Sequence, residues 1–256
     1  MSLDRLINSI RNNEVILWAG AGFSLYAGMP GVDKIKSSIL EKCEESESEY
    51  LKKISSLSEI ANEFIQMRNG SRHELNTILM DLIDKEPDSI SLHKRLSEIP
   101  QIDTIVTTNY DHLFEKAYGN DIFPIISNAN IPYASRKSVD LYKIHGDIKV
   151  PESLLISSDD YTDFFNREHD PIWTKIKSLV AEKSVLFIGY SLADQNIDYL
   201  INNVIKSIGK NQKECFLVAP GIPKHKLSAL KDKKIEYIDM TGEEFIPYIH
   251  EQIKKK

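Results

Sequence analysis

The sequence has few of the residues that staple small folds or hold structural metals. It contains two cysteines, Cys43 and Cys215, far apart in 256 residues, and neither has a Cys or His neighbour at metal-ligand spacing. That excludes a disulfide framework and argues against a structural zinc site; each reads as a small buried hydrophobe or a free thiol. No apolar run is long enough to cross a bilayer. Met1 to Asn13 is polar and amphipathic, unlike a secretory leader, so the expected location is the cytoplasm. Surplus positive charge is missing too. A net charge of −6 speaks against general affinity for nucleic acid, which needs a basic face. There is no internal repeat, and the only biased segment is the Lys-rich C-terminus, read as a solvated end. A hydrophobic fraction of 41% is too high for disorder and is enough, at this length, for one sizeable core.

What is present is organised around Val15-Ile16-Leu17-Trp18-Ala19-Gly20-Ala21-Gly22-Phe23-Ser24. An apolar run bounded by glycine reads as a buried strand. Gly20 and Gly22 let the backbone approach a ligand with no Cβ in the way. The N–H groups of such a turn, backed by a helix N-terminus, suit the diphosphate of a dinucleotide. A strand-to-helix turn that merely contains two glycines has the same signature. The rest of the chain has to separate the two.

Leu3, Leu6, Ile7 and Ile10 predict a short helix before that strand. Gly28-Met29-Pro30-Gly31 is a loop, and Val32 to Cys43 a helix with a stripe of Ile35, Ile39 and Leu40. No strand signal lies between Glu44 and Ile99. Leu51, Ile54, Leu57, Ile60, Ala61, Phe64 and Ile65 keep a helical period, as do Leu75, Ile78, Leu79 and Leu82. This predicts an all-helical insertion of three or four helices, roughly residues 44–100, within a single domain of 1–256. Strand signals return at Asp103–Thr108, Ile122–Ile126, Leu141–Ile144, Leu154–Ile156, Ser184–Ile188, Cys215–Pro220 and Ile235–Ile238. Helices are expected after Asp111, at Ser158–Phe165 and Pro171–Glu182, from Ala193 to near Ser207 (Leu200, Ile201, Val204 and Ile205 inward), and at Thr241–Ile253. Buried strands alternating with helices predict an α/β fold. Its core would be a Rossmann-like, mostly parallel sheet with helices on both faces, and the all-helical insertion would follow the first strand.

In such a sheet the ligand binds beyond the carboxyl ends of the strands. Gly20 to Ser24, Asn109-Tyr110-Asp111, His145-Gly146 and Gly189-Tyr190-Ser191 each follow an expected strand and so converge on one rim. The rim is not that of an ordinary dehydrogenase. The first turn lacks the third glycine of G-x-G-x-x-G, and no acidic residue closes a second strand where the adenosine ribose would be held. A polar Asn-Tyr-Asp and a His-Gly suit a reaction at a sugar. Plainer roles stand beside these: Asn109 and Ser24 are residue types that cap helices, His145 can be a turn residue, and Asp194 and Asn196 read as helix starters. His73, His93, His112, His169, His225 and His250 have no spacing that suggests a site.

The ordered set Gly20-Ala21-Gly22-Phe23-Ser24, Gly28-Met29-Pro30, Thr108-Asn109-Tyr110-Asp111, His145-Gly146 and Gly189-Tyr190-Ser191 resembles the sirtuin NAD-dependent catalytic domain, over roughly Asn13 to Ile238. There are departures. The four zinc-binding cysteines of deacetylase sirtuins are missing, and Gly31, Val32 and Asp33 stand where those enzymes carry Asp, Phe and Arg. Their Thr-Gln-Asn-Ile-Asp is here Thr107-Thr108-Asn109-Tyr110-Asp111, and their Gly-Thr-Ser is Gly189-Tyr190-Ser191. This form, with Tyr190-Ser191-Leu192 followed by Asp194 and Asn196, is similar to the zinc-free sirtuin-like domains of bacterial antiphage defence, among them the Thoeris effector and the Argonaute-associated NADases.

The resemblance implies NAD as substrate, no metal, and cleavage to nicotinamide and ADP-ribose, with partial cyclisation as a variant. Asn109 would orient the ribose and the attacking water. His145 would be general base, a role suited to an ordinary imidazole pKa. Gly20, Ala21, Gly22 and Ser24 would seat the diphosphate, Asp111 with the Tyr110 backbone the nicotinamide carboxamide, and Gly189, Ser191 and Ala219 the adenosine side. A protein deacylase and a non-catalytic NAD or ADP-ribose sensor are the competing readings. A toxic NADase needs control, which implies self-assembly or a partner chain such as an ATPase, an Argonaute-type module or a nucleotide sensor. It implies no membrane and no direct nucleic-acid contact, and it allows the chain to be the catalytic part of a longer protein.

Overall fold

Val15–Ala19 (β1) is buried at all five positions and is the middle strand of a seven-stranded sheet. The structure is a computed structural model and describes residues 2–134, 138–166, 170–190, 213–232 and 234–255. The other strands are Thr104–Thr107 (β2), Ile122–Ile125 (β3), Val139–Lys143 (β4), Ser184–Ile188 (β5), Cys215–Val218 (β6) and Ile235–Ile238 (β7). They lie in the order β3-β4-β2-β1-β5-β6-β7, and every pairing is parallel. Parallel strands are covered on both faces, which is why β1 and β5 read as unbroken apolar runs.

Alternate residues face opposite ways. Leu17, Ile105, Leu141, Leu186 and Phe216 face one layer of helices. That layer is α1 (Ser2–Arg11), α7 (Ser91–Ser97), α8 (Leu113–Tyr118) and α12 (Gly242–Lys254), which contribute Leu6, Leu96, Phe114 and Phe245. Ile16, Trp18, Val106, Tyr142, Val185 and Phe187 face the other, built by α9 (Ser158–Phe165), α10 (Pro171–Glu182) and α11 (Lys224–Asp232). The Rossmann-like sheet with helices on both faces is therefore as expected. α11 had no counterpart in the sequence reading, because its apolar stripe is little more than Leu227 and Leu230.

Between β1 and β2 the chain is helical throughout: α2 (Ala21–Leu25), α3 (Val32–Leu40), α4 (Glu45–Leu51), α5 (Leu57–Met67), α6 (His73–Ile83) and then α7. Ile35 and Ile39 of α3, Leu51 of α4, Ile60 and Phe64 of α5 and Leu75 and Leu79 of α6 form a separate core with Ile148, Leu154 and Ile156. α7 belongs instead to the sheet layer, through Leu92 and Leu96. Two expectations need correcting. The helix from Val32 stops at Leu40, and Lys42 and Cys43 donate three residues back, to Ile39 and Leu40, a tight closing turn. Leu154–Ile156 is not a strand: Leu154 and Ile156 are buried in the helical core, and Leu155 N–H donates to His145 O at 2.9 Å rather than joining a ladder. The helix expected from Ala193 to Ser207, and with it Asp194 and Asn196, lies outside the described residues. Among the described residues no helix is long and apolar enough to cross a membrane.

Candidate functional site

The strand order reverses between β1 and β5, the kind of crevice where ligands bind in such sheets. The turns above the two strands are joined backbone to backbone: Gly20 N–H donates to Ile188 O at 2.9 Å and Gly22 N–H to Gly189 O at 2.8 Å. Gly189 has φ +79°, and a Cβ there would run into the Phe23 amide. Only glycine fits both conditions. A Cβ on Gly20 would stand 2.6 Å from the Tyr190 ring. The Tyr190 hydroxyl donates to Ala19 O at 3.0 Å and meets Thr108 Oγ1 at 3.3 Å, so one side chain ties the ends of β5, β1 and β2. Phe23 N–H is also committed, to Gly20 O at 2.9 Å. The glycines thus serve first the close approach of two backbones, and fewer N–H groups face a ligand than two free glycines suggest.

The turn after β2 is held by buried polar bonds. Asn109 is 6% exposed; its Nδ2 donates to Gly20 O at 3.0 Å and to Ser24 Oγ at 2.8 Å. Ser24 Oγ donates onward to Asp111 Oδ2 at 2.6 Å, and Asp111 Oδ1 accepts Leu113 N–H at 3.1 Å at the start of α8. Neither Asn109 nor Ser24 is a helix cap: Gly20 precedes α2 and His112 precedes α8. Instead Asn109, Ser24 and Asp111 form one chain linking the β1 and β2 turns. Asn109 Oδ1 is left without a partner among the described residues. Tyr110 turns away, its hydroxyl donating to Leu155 O at 2.6 Å.

His145 stands beyond β4. Because Thr107 and Lys143 are in register, Asn109 and His145 each lie two residues past paired positions, on neighbouring turns. The ring is 6% exposed, packs edge-on against Tyr161 and Phe164, and meets the Tyr161 hydroxyl through Nδ1 at 3.5 Å. Its Nε2 has no partner among the described residues. Burial pushes its pKa down to about 3, so the imidazole is neutral but a far weaker base than the ordinary imidazole expected from the sequence. Gly146 has φ +90°, and a Cβ there would strike Ser153 O. An unpaired buried polar atom costs about 1–3 kcal/mol; here two, Asn109 Oδ1 and His145 Nε2, occur on adjacent turns at the mouth of the sheet, as a ligand site requires.

Sequence reasoning missed a charged cluster beside these turns. The Lys143 side chain is fully buried, with Nζ 2.6 Å from Asp147 Oδ2 and 3.1 Å from Glu115 Oε1. His112 Nε2 meets Asp147 Oδ1 at 2.7 Å. Burial would raise the Asp147 pKa, but the His112 bond, the Lys143 charge and the Lys149 amide outweigh it and hold it at about 2. His112, Glu115 and Asp147 offer ligand atoms within 4.8 Å of one another, and the Lys143 ammonium stands among them. The available signal was a lysine inside the expected strand Leu141–Ile144. His93, read from the sequence as a surface or core histidine, is in the core. It is 1% exposed, lies against Phe23 and Phe114, and burial pushes its pKa down to about 4 against the opposing pull of Asp111.

Ala219 lies further along the rim, past β6, with its N–H on Ile238 O at 3.3 Å. Ser191 lies outside the described residues. A cleft of 910 Å³ opens on the β3 side, lined by Ile144, Gly146, Phe164 and Trp173 rather than by Asn109 or His145.

A family model described as SIR2-like domain matches residues 103–238. The chain is similar to NAD(+) hydrolase ThsA of Bacillus cereus (strain MSX-D12), 28% identical over 80% of this chain and 42% of that protein. It is similar to NAD(+) hydrolase ThsA of Enterococcus faecium, 28% identical over 84% of this chain and 45% of that protein. Defense-associated sirtuin 2 of Bacillus subtilis is 26% identical over 80% of this chain and 20% of its own length. The chain thus spans less than half the length of these relatives. A crystal structure of Sir2 with the inhibitor EX-527, 2'-O-acetyl-ADP-ribose and deacetylated p53 peptide shares the fold, with a TM-score of 0.55 and 13% identity over 99% of this chain and all of that one.

Proposed function

The chain belongs to the SIR2-like domain family, and from that premise we propose that it is an NAD+ glycohydrolase, releasing nicotinamide and ADP-ribose with water as acceptor. The observation that carries this reading is the pair of buried, half-satisfied side chains, Asn109 and His145, at adjacent strand ends beside a dinucleotide-type crevice. The N-glycosidic bond breaks through an oxocarbenium-like transition state, eased because nicotinamide leaves neutral. Asn109 Oδ1 accepts from the ribose or the attacking water and holds it below the sugar. His145, neutral and weakly basic, takes the proton of the attacking water as its oxygen bonds to the oxocarbenium carbon and becomes strongly acidic. The diphosphate is assigned to the turn Gly20, Ala21, Gly22 and Ser24 for its close backbone approach, since the Gly20 and Gly22 N–H groups and the Ser24 hydroxyl are already bonded. Each Asp111 oxygen carries one hydrogen bond, leaving lone pairs for the nicotinamide carboxamide beside the Tyr110 backbone. Gly189, Ser191 and Ala219 take the adenosine side. No step needs a metal.

The similarity to proteins named NAD(+) hydrolase ThsA and Defense-associated sirtuin 2 supports a role as a toxic effector that depletes NAD in antiphage defence. Control would come from self-assembly or from a partner chain, and the surface of α3–α6 is available for either. The test is NAD+ turnover by the purified chain beside Asn109→Ala and His145→Ala. Both variants should bind NAD+ and lose about 100-fold or more in turnover, the usual scale of general acid–base contributions. A wild type with no affinity for NAD+ would refute the reading.

A further inference from the structure

We propose that Lys143 is a positioning residue of this site, a buried cation that locks the Asn109–Asp111 turn of β2 onto the His145 turn of β4. The proposal rests on the glycohydrolase reading for its consequence in turnover, not for its geometry.

Lys143 is the last residue of β4, in register with Thr107 and two residues before His145. Its side chain is wholly enclosed. A buried ammonium is expensive unless paired and fully hydrogen-bonded, so what it bonds indicates why it is there. Nζ donates to the backbone carbonyl of Asp111 at 2.7 Å and lies 3.4 Å from that of Tyr110. On its other side it meets Asp147 at 2.6 Å and Glu115 at 3.1 Å. The Asp147 anchor is itself pinned, by His112 at 2.7 Å and by the Lys149 amide at 2.8 Å.

The ammonium is therefore a crosslink, with one side on the peptide groups that follow Asn109 and the other on the carboxylate that follows His145. The orientation of Asp111 is passed on through Ser24, which receives the Asn109 amide. An apolar side chain of the same length would fill the space and support the core. It could neither orient two carbonyls nor neutralise Asp147 and Glu115, and the carbonyl bonds tie that ion cluster to the Asn109 turn. Removing Lys143 frees the Asp111 peptide to rotate, and with it the short chain that aims Asn109. NAD+ affinity, set elsewhere along the β1–β5 crevice, should change little.

Lys143→Met alone leaves two buried carboxylates uncompensated and is expected to fold poorly. The deciding variant is therefore Lys143→Met with Glu115→Gln and Asp147→Asn, which removes cation and anions together. Three readings are taken: thermal unfolding, amide exchange of residues 108–113 by mass spectrometry, and kcat and KM for NAD+ against wild type. The expected result is a cooperative fold, exchange in that segment roughly ten-fold faster or more with the α5–α6 peptides unchanged, and kcat lower by about 100-fold with KM shifted less than about three-fold. Unchanged exchange in the turn overturns the proposal, as does wild-type kcat. A triple variant that no longer folds makes Lys143 a residue of the fold alone, which also overturns it. A wild type that releases no nicotinamide would strike the glycohydrolase reading instead, and exchange would still decide whether Lys143 holds the turn.

Discussion

His145 and His93 are neutral imidazoles in dry surroundings, and burial lowers the proton affinity of both, to about 3 and about 4. In the unfolded chain each would titrate near 6.5, so between there and the folded values the unfolded state binds more protons. Stability is complete above about pH 6.5 and drains away as pH falls through that window, by up to about 1.4 kcal/mol per pH unit for each group. Urea unfolding measured from pH 7 down to pH 5 should show this fall, and His93→Leu should make it about half as steep. An unchanged slope would mean that His93 is hydrated or paired. The same depression bears on catalysis. Because kcat/KM reports the free protein, its pH profile should be flat from about pH 8 to 5.5, without the acid limb near 6.5 of an ordinary histidine base. Asn109 and His145 could be found in the sequence because polar residues directly after apolar strands are conspicuous. Lys143 gave only a faint signal, and the sequence left His93 open between surface and core. A lysine ending a strand and a histidine in a helix look solvated until tertiary packing encloses them.

The strands stood out in the sequence because a parallel sheet writes its burial as short apolar runs. Leu154-Leu155-Ile156 carries the same signal with a different cause: Leu154 and Ile156 are apolar because α3, α5 and α6 cover them. Local pattern reports burial, not pairing, so a buried extended segment and a strand read alike. These helices also cover Ile148, so the loop after His145 depends on their packing. Phe64, wholly enclosed in this core, is the test of that dependence. Phe64→Ala should cost about 3–5 kcal/mol, read as a lower urea midpoint, whereas a loss below about 1 kcal/mol would mean that the helical core closes over the gap. Gly146 is the other element-scale constraint. Gly146→Ala puts a Cβ against Ser153 O at φ +90°, and NAD+ turnover should fall with stability as the His145 turn is displaced. Wild-type stability in that variant would show the turn to be plastic.

Across the whole molecule, the order β3-β4-β2-β1-β5-β6-β7 sets the turns bearing His145, Asn109, Gly20, Gly189 and Ala219 on five successive strands, β4, β2, β1, β5 and β6. Residues up to 200 apart in sequence share one rim because parallel strands all end on the same side. The sequence order of these turns pointed to the rim, whereas the bonds that set Asn109 against Ser24 and Asp111 could come only from the folded chain. The central claim is that water accepts the ADP-ribosyl group. It is tested most directly by incubating the purified chain with NAD+ in ¹⁸O-labelled water and weighing the products. One heavy oxygen in ADP-ribose, released with nicotinamide and abolished by Asn109→Ala and by His145→Ala, is the expected result. Nicotinamide released only when an acyl-lysine peptide is added, with the heavy label absent from free ADP-ribose, would contradict it.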